Sequence, residues 1–86
     1  MMLFCKPSNM VSNRVIIPLN RVYDIYCLDV SLSINYDSGE LVEVEGTFQK
    51  KLESVRITFE SADELDKIVR QFYKALNSGS NAFYFG

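Results

Sequence analysis

Glu43 and Glu45 stand two residues apart, a spacing that on an extended strand sends both carboxylates to one side. Such a pair can approach a divalent cation or share a proton in acid–base chemistry. A solvated strand face has the same pattern, and charges there discourage edge-to-edge pairing. The chain has no histidine, so a general acid or base would have to be a carboxylate, Lys, Tyr or Cys with its pKa moved toward neutrality. Cys27 is close in sequence to Asp24 and Asp29, but a carboxylate neighbour raises a thiol's pKa and no imidazole is present to accept its proton. Gly39, Gly46, Gly79 and Gly86 are scattered, without the spacing of a phosphate loop or a dinucleotide fingerprint. Structural zinc needs about four ligands, and Cys5 and Cys27 without histidine fall short of that. The expectation is a non-catalytic protein with no cofactor, no metal and no small-molecule substrate identified.

Binding chemistry is the alternative to catalysis. In the run RVYDIYCLD, Arg21, Tyr23 and Ile25 alternate onto one face of an extended segment. Further on, Arg56 points outward with Thr58, and Lys50 and Lys51 form a basic turn. Aromatic rings interleaved with cations on an exposed sheet stack bases and neutralise phosphates. Against this, nine Lys and Arg face eleven Asp and Glu for a net charge of -2, the reverse of the basic excess such proteins carry. Asp29, Glu43 and Glu45 compete with the patch directly. Single-stranded nucleic-acid binding through Arg21, Tyr23, Arg56, Lys50 and Lys51 is therefore the second reading. A small acidic inhibitor or subunit of a larger enzyme is a third, acting through surface charge.

The first reading is a protein-interaction or assembly module, self-associating as a homodimer through an exposed sheet face or edge and the closing run SGSNAFYFG. Phe83, Tyr84 and Phe85 are its candidate partner-binding residues. Burying one Phe fully is worth roughly 1.5 to 3 kcal/mol, so aromatic residues left exposed at a frayed end would forgo that gain and invite aggregation. Read as a strand, the tail places Phe83 and Phe85 on one face and Tyr84 on the other.

These residues must be held by a small scaffold. With 86 residues, 48% apolar and 23% charged, the chain reads as one globular domain over 1–86. A helix is expected over about 62–77. Ser61 stands at its N-cap with Glu64 three residues on, as in a capping box, and Leu65, Ile68, Val69, Phe72 and Leu76 recur at helical spacing. Asp63 with Lys67 and Asp66 with Arg70 are i,i+4 pairs, and Asn77, Ser78 and Gly79 stop the helix.

Strands fill residues 2–60. Leu32, Ile34 and Tyr36 alternate with Ser31, Ser33 and Asn35, and Val55, Ile57 and Phe59 alternate with Arg56 and Thr58. Asp37-Ser38-Gly39 predicts a hairpin turn, after which Val42, Val44 and Phe48 face one way and Glu43, Glu45 and Thr47 the other. Gly46 suits a bulge, a close backbone approach or simply a small residue on a twisted strand, and Gln49-Lys50-Lys51 predicts the next turn. Further strands fit Met2 to Lys6, Arg14 to Leu19, Arg21 to Val30 and Ala82 to Phe85, with a loop at Pro7-Ser8-Asn9. The fold class expected is α+β, a mostly antiparallel sheet of about five to six strands with the C-terminal helix on one face and the aromatic tail, over 81–86, as a possible edge strand. One helix covers only part of such a sheet, so Leu28, Leu41, Leu52 and the tail aromatics are left in want of burial. No apolar run approaches the ~20 residues of a membrane span, and MMLFCKP lacks a basic leader and is interrupted by Lys6 and Pro7. A cytoplasmic protein is expected, with both cysteines reduced and buried.

Overall fold

The computed structural model describes residues 1–7 and 14–85. The loop expected at Pro7-Ser8-Asn9 lies, from Ser8 on, outside the described residues. The chain is α+β, and its described residues form six strands and one helix: β1 (Met2–Cys5), β2 (Val15–Pro18), a 3-10 turn (Leu19–Arg21), β3 (Val22–Leu28), β4 (Ser31–Val44), β5 (Thr47–Thr58), α1 (Ala62–Asn77) and β6 (Ala82–Phe85). The strands divide into two sheets of three, ordered β2-β1-β6 and β3-β4-β5.

Alternation decides which side of each strand is buried. Leu3 and Cys5 of β1, Ile17 of β2 and Phe85 of β6 are sealed from solvent, as are Leu32 and Ile34 of β4 and Val55 and Ile57 of β5. These inward rows meet the stripe of α1, where Leu65 and Phe72 are buried and Ile68, Val69 and Leu76 pack beside them. One core therefore joins both sheets and the helix, and apolar burial there is the main stabilising term.

The helix ends are fixed by local chemistry. Ser61 Oγ accepts from Glu64 N at 3.3 Å, and Glu64 Oε2 accepts from Glu60 N at 3.4 Å. Both sides of the expected capping exchange are present, with the return bond one residue earlier than the usual box. At the far end Ser80 N donates to Ala75 O at 3.0 Å and Gly79 N to Leu76 O at 3.3 Å. With Gly79 at φ +70, this is a complete Schellman stop. Of the expected surface pairs, Asp66 and Arg70 meet at 4.0 Å.

That stop turns the chain back into β6, which pairs parallel with β1 in the register Leu3↔Phe83 and Cys5↔Phe85. Phe83 and Phe85 face inward and contact Phe72 of the helix at ring-centroid distances of 5.3 and 5.1 Å. Tyr84 faces outward, stacked on Phe4 at 4.7 Å, with the Arg14 guanidinium carbon 5.6 Å from its ring centre. The tail is thus an edge strand of the chain's own sheet, with the two faces that its alternation predicts.

The long hairpin departs from the sequence reading. Asp37-Ser38-Gly39 is not its turn; β4 continues through these residues, which form an irregularity against β5 between Asp37 and Leu41. The turn chemistry is present but used locally: Gly39 N donates to Asp37 Oδ1 at 2.9 Å and Ser38 Oγ donates to Lys51 O at 2.9 Å. The reversal occurs at Glu45-Gly46, both at positive φ, 51 and 79, as a two-residue hairpin turn requires. Gly46 therefore makes the turn rather than a bulge, Gly39 makes the bulge rather than the turn, and Gln49-Lys50-Lys51 lies within β5 instead of ending it.

Phe85 is fully buried and Tyr84 is 58% exposed. Phe85→Ala is expected to cost about 3 kcal/mol or more of stability, and Tyr84→Ala about 1 kcal/mol. Urea unfolding followed by far-UV circular dichroism checks this; equal losses would contradict the assignment of the two faces.

Candidate interaction face

The inward rows of β3, β4 and β5 are used by the core, so the chemistry on offer from this sheet is on its outward rows. Register places Tyr26, Ser33 and Arg56 side by side across the three strands, and Asp24, Asn35 and Ser54 in the next row. Asn35 Nδ2 donates to Asp24 Oδ1 at 2.6 Å, and Ser54 Oγ donates to Asn35 Oδ1. Ser31 and Thr58 hydroxyls meet at 3.1 Å. Ser33, between the larger Tyr26 and Arg56, is 5% exposed. Much of the hydrogen-bonding capacity of this middle zone is thus met within the sheet, leaving less for a ligand.

Past Asp37 the character changes. β3 pairs only as far as Tyr36 on β4, so from there β4 and β5 continue as a two-stranded arm, and every residue from Gly39 to Lys50 is exposed. The molecule measures 46 × 28 × 23 Å, an elongation in keeping with such an arm. The register Leu41↔Lys50 and Glu43↔Phe48 sets these four side chains on the outward face, continuing the row of Leu52 opposite Asp37. Val42 and Val44 share the other face with Gln49 and Thr47. Phe48 therefore lies opposite to the valines with which strand alternation had grouped it, because the turn sits at 45 and 46. Leu41 is 65%, Phe48 68% and Leu52 52% exposed.

At the root of the arm is a recess of about 370 Å³ lined by Arg21, Tyr23, Asp37, Lys50 and Leu52, among others. The 3-10 turn supplies Arg21, whose guanidinium lies across Gly39: a Cβ there would come within 3.1 Å of it. Lys50 Nζ is 3.6 Å from Asp37 Oδ2. Three of the residues singled out for nucleic acid, Arg21, Tyr23 and Lys50, therefore converge here, although not by the simple alternation expected. A register shift between Val22 and Asp24 breaks the row, and Ile25 packs against the core instead.

The other two do not join them. Arg56 is on the same outward face but six residues along β5, about 20 Å away at 3.3 Å per residue. Lys51 alternates to the opposite face, where it meets Glu40 at 3.4 Å and Glu53 at 3.6 Å. Lys50 and Lys51 are strand neighbours on opposite faces, not a basic turn. Glu53 also accepts from Tyr36 OH at 3.1 Å, and burial, followed by this carboxylate, raises the Tyr36 pKa.

The carboxylate pair does not form either: Glu43 is on the outward face of the arm and Glu45 is in the turn. Among the described residues no group of three or more Cys, Asp or Glu is placed to hold a metal ion. Cys5 is buried as expected, but Cys27 is exposed. It points toward the core side, in register with Leu32, yet β3 is an edge strand and its flank stays open.

Of the tail residues, only Tyr84 is presented outward; Phe83 and Phe85 are held in the chain's own core. The apolar residues of the arm gave a weaker signal, the shortage of helix surface to cover Leu28, Leu41, Leu52 and the tail aromatics; Leu41 and Leu52 are exposed on the arm and at its root and Leu28 on β3, whereas Phe83 and Phe85 pack in the core. No family model, curated protein or solved structure matches this chain.

Burial pushes the Cys5 thiol from its ordinary 9.0 up to about 11. Iodoacetamide should label Cys27 in the native chain and Cys5 only on unfolding; equal labelling of both would contradict these placements. The unfolded chain gives up its Cys5 proton at lower pH than the folded one, so the stabilising effect of the neutral thiol is complete below pH 9 and declines toward 11. Between about pH 8 and about pH 10 the native chain should lose more stability in urea than Cys5→Ala does.

Proposed function

We propose that this protein is a non-catalytic assembly module that self-associates through the arm formed by β4 and β5. The observation that carries this reading is the exposure of Leu41, Val42, Val44, Phe48 and Leu52 on one two-stranded projection. An isolated two-stranded hairpin is marginally stable in water, and apolar side chains exposed on both of its faces are a liability unless something covers them. The polar zone above the arm is largely satisfied within the sheet, so the arm is where association gains most. Among the described residues no helix is long and apolar enough to cross a membrane.

The recess at the root of the arm supports a second reading, single-stranded nucleic acid held by Arg21, Lys50 and Tyr23. Its weakness is internal: Asp37 is in the same recess and already pairs with Lys50. Fluorescence anisotropy with a labelled oligonucleotide at low salt, where counterion release favours binding most, decides it; no binding there ends the reading.

For self-association the measurement is sedimentation equilibrium of the native chain and of a Leu41→Ser, Phe48→Ser variant. The native chain should show a concentration-dependent dimer and the variant a monomer. At a protein concentration low enough for the native chain to be monomeric, the urea midpoint of the variant should differ little from it, because both side chains are exposed. A native chain that stays monomeric at high concentration overturns the proposal.

A further inference from the structure

The geometry points to a specific mode of self-association, resting on the reading above: a second copy docks face to face on the outward side of the arm, about a two-fold axis along the Leu41–Phe48 diagonal. Two-fold interfaces bring the same patch together from both chains, so the patch must be complementary to itself. Leu41 is paired with Lys50 and Glu43 with Phe48, which makes a four-cornered patch with apolar residues on one diagonal and opposite charges on the other.

Four axes lying in the contact plane are available, and chemistry rejects three. An axis parallel to the strands sets Leu41 on the partner's Lys50 and Glu43 on the partner's Phe48, desolvating each charge against hydrocarbon. An axis across the strands sets Leu41 on the partner's Glu43 and Lys50 on the partner's Phe48, with the same defect. The Lys50–Glu43 diagonal sets each charge on its own copy, where like charges repel. The Leu41–Phe48 diagonal stacks leucine on leucine and phenylalanine on phenylalanine, and places Lys50 beside the partner's Glu43 at two symmetric positions.

Strand dimensions allow this arrangement. With strands about 4.8 Å apart and same-face residues about 6.7 Å apart along a strand, the swap sets each Lys50 over the partner's Glu43 with an offset of about 3 Å in the contact plane, across a face-to-face spacing of about 10 Å that the two long side chains span. The strands of the two arms then cross at about 70°, nearer the orthogonal than the aligned class of sheet packing. Lys50 can take part: its side chain is 76% exposed, and turning from Asp37 to the partner's Glu43 exchanges one carboxylate for another. The patch is small beside standard interfaces, so the dimer is of moderate strength.

The test is a charge swap. Glu43→Lys and Lys50→Glu, purified separately, should each self-associate at least about tenfold more weakly than the native chain, since each sets like charges together twice. Mixed in equal amounts, they should recover a one-to-one heterodimer in sedimentation velocity, because every Lys then meets a Glu. The double variant Glu43→Lys, Lys50→Glu should dimerise with itself, and this guards against a single variant that fails to fold. If the native chain dimerises and either folded single variant does so equally well, or if the mixture and the double variant both stay monomeric, this docking mode is overturned while self-association stands. If the native chain itself is monomeric, the assembly reading fails and this mode with it.

Discussion

Phe85 is the contact on which the rest of the structure depends. It pairs beside Cys5, abuts Phe83 with ring centres 4.8 Å apart and meets Phe72 of the helix. β1 lies between β2 and β6, so the first strand is central only because the last one returns to it. A parallel pair needs a long crossover, and the hairpins and the helix between the two strands provide it. The Schellman stop at Gly79 matters for the same reason: it aims the chain back at β1 rather than away from it.

The core that Phe85 closes is small, and the chain has more strand than it can cover. β4 spans 14 residues and β5 spans 12, while β3 lies alongside only the first part of β4. Inward burial ends near Tyr36 and Glu53. Beyond that point the two strands have each other and water, and their apolar side chains lie on both faces of the arm. The bulge at Asp37-Ser38-Gly39 marks the change from sheet to arm, with Arg21 laid over Gly39 where any side chain would be in the way. The recess and the arm thus share a boundary, and an assembly contact on the arm would border Arg21, Tyr23 and Lys50.

Much of this was legible because its causes are local. The helix, its cap and its stop depend on residues within a turn of one another, and all three were found where Ser61, Glu64 and Gly79 indicated. The alternation of Phe83, Tyr84 and Phe85 carried over unchanged, since a strand's period is fixed by its backbone. The arm was visible only as a remainder, Leu41 and Leu52 being among the apolar residues that exceed what one helix could cover. The hairpin was misread because Asp37-Ser38-Gly39 has the chemistry of a turn whether it reverses a chain or bulges it. Glu45-Gly46 has only its glycine as a local mark. Moving the turn changed the faces of everything near it, separating Lys50 from Lys51 and Phe48 from Val42 and Val44.

The sequence by itself determined the class of fold, the helix and the alternation of faces in the first part of β4, the last part of β5 and β6, because these follow from period and propensity over a few residues. The tertiary structure alone decided how the strands divide into two sheets, that the tail covers the chain's own core, and that Cys27 stays exposed on an edge. It also decided that Leu41, Glu43, Phe48 and Lys50 form one patch. Each of those depends on which strand lies beside which, and pairing between distant segments is settled by the packing of the whole chain rather than by any residue's neighbours in sequence.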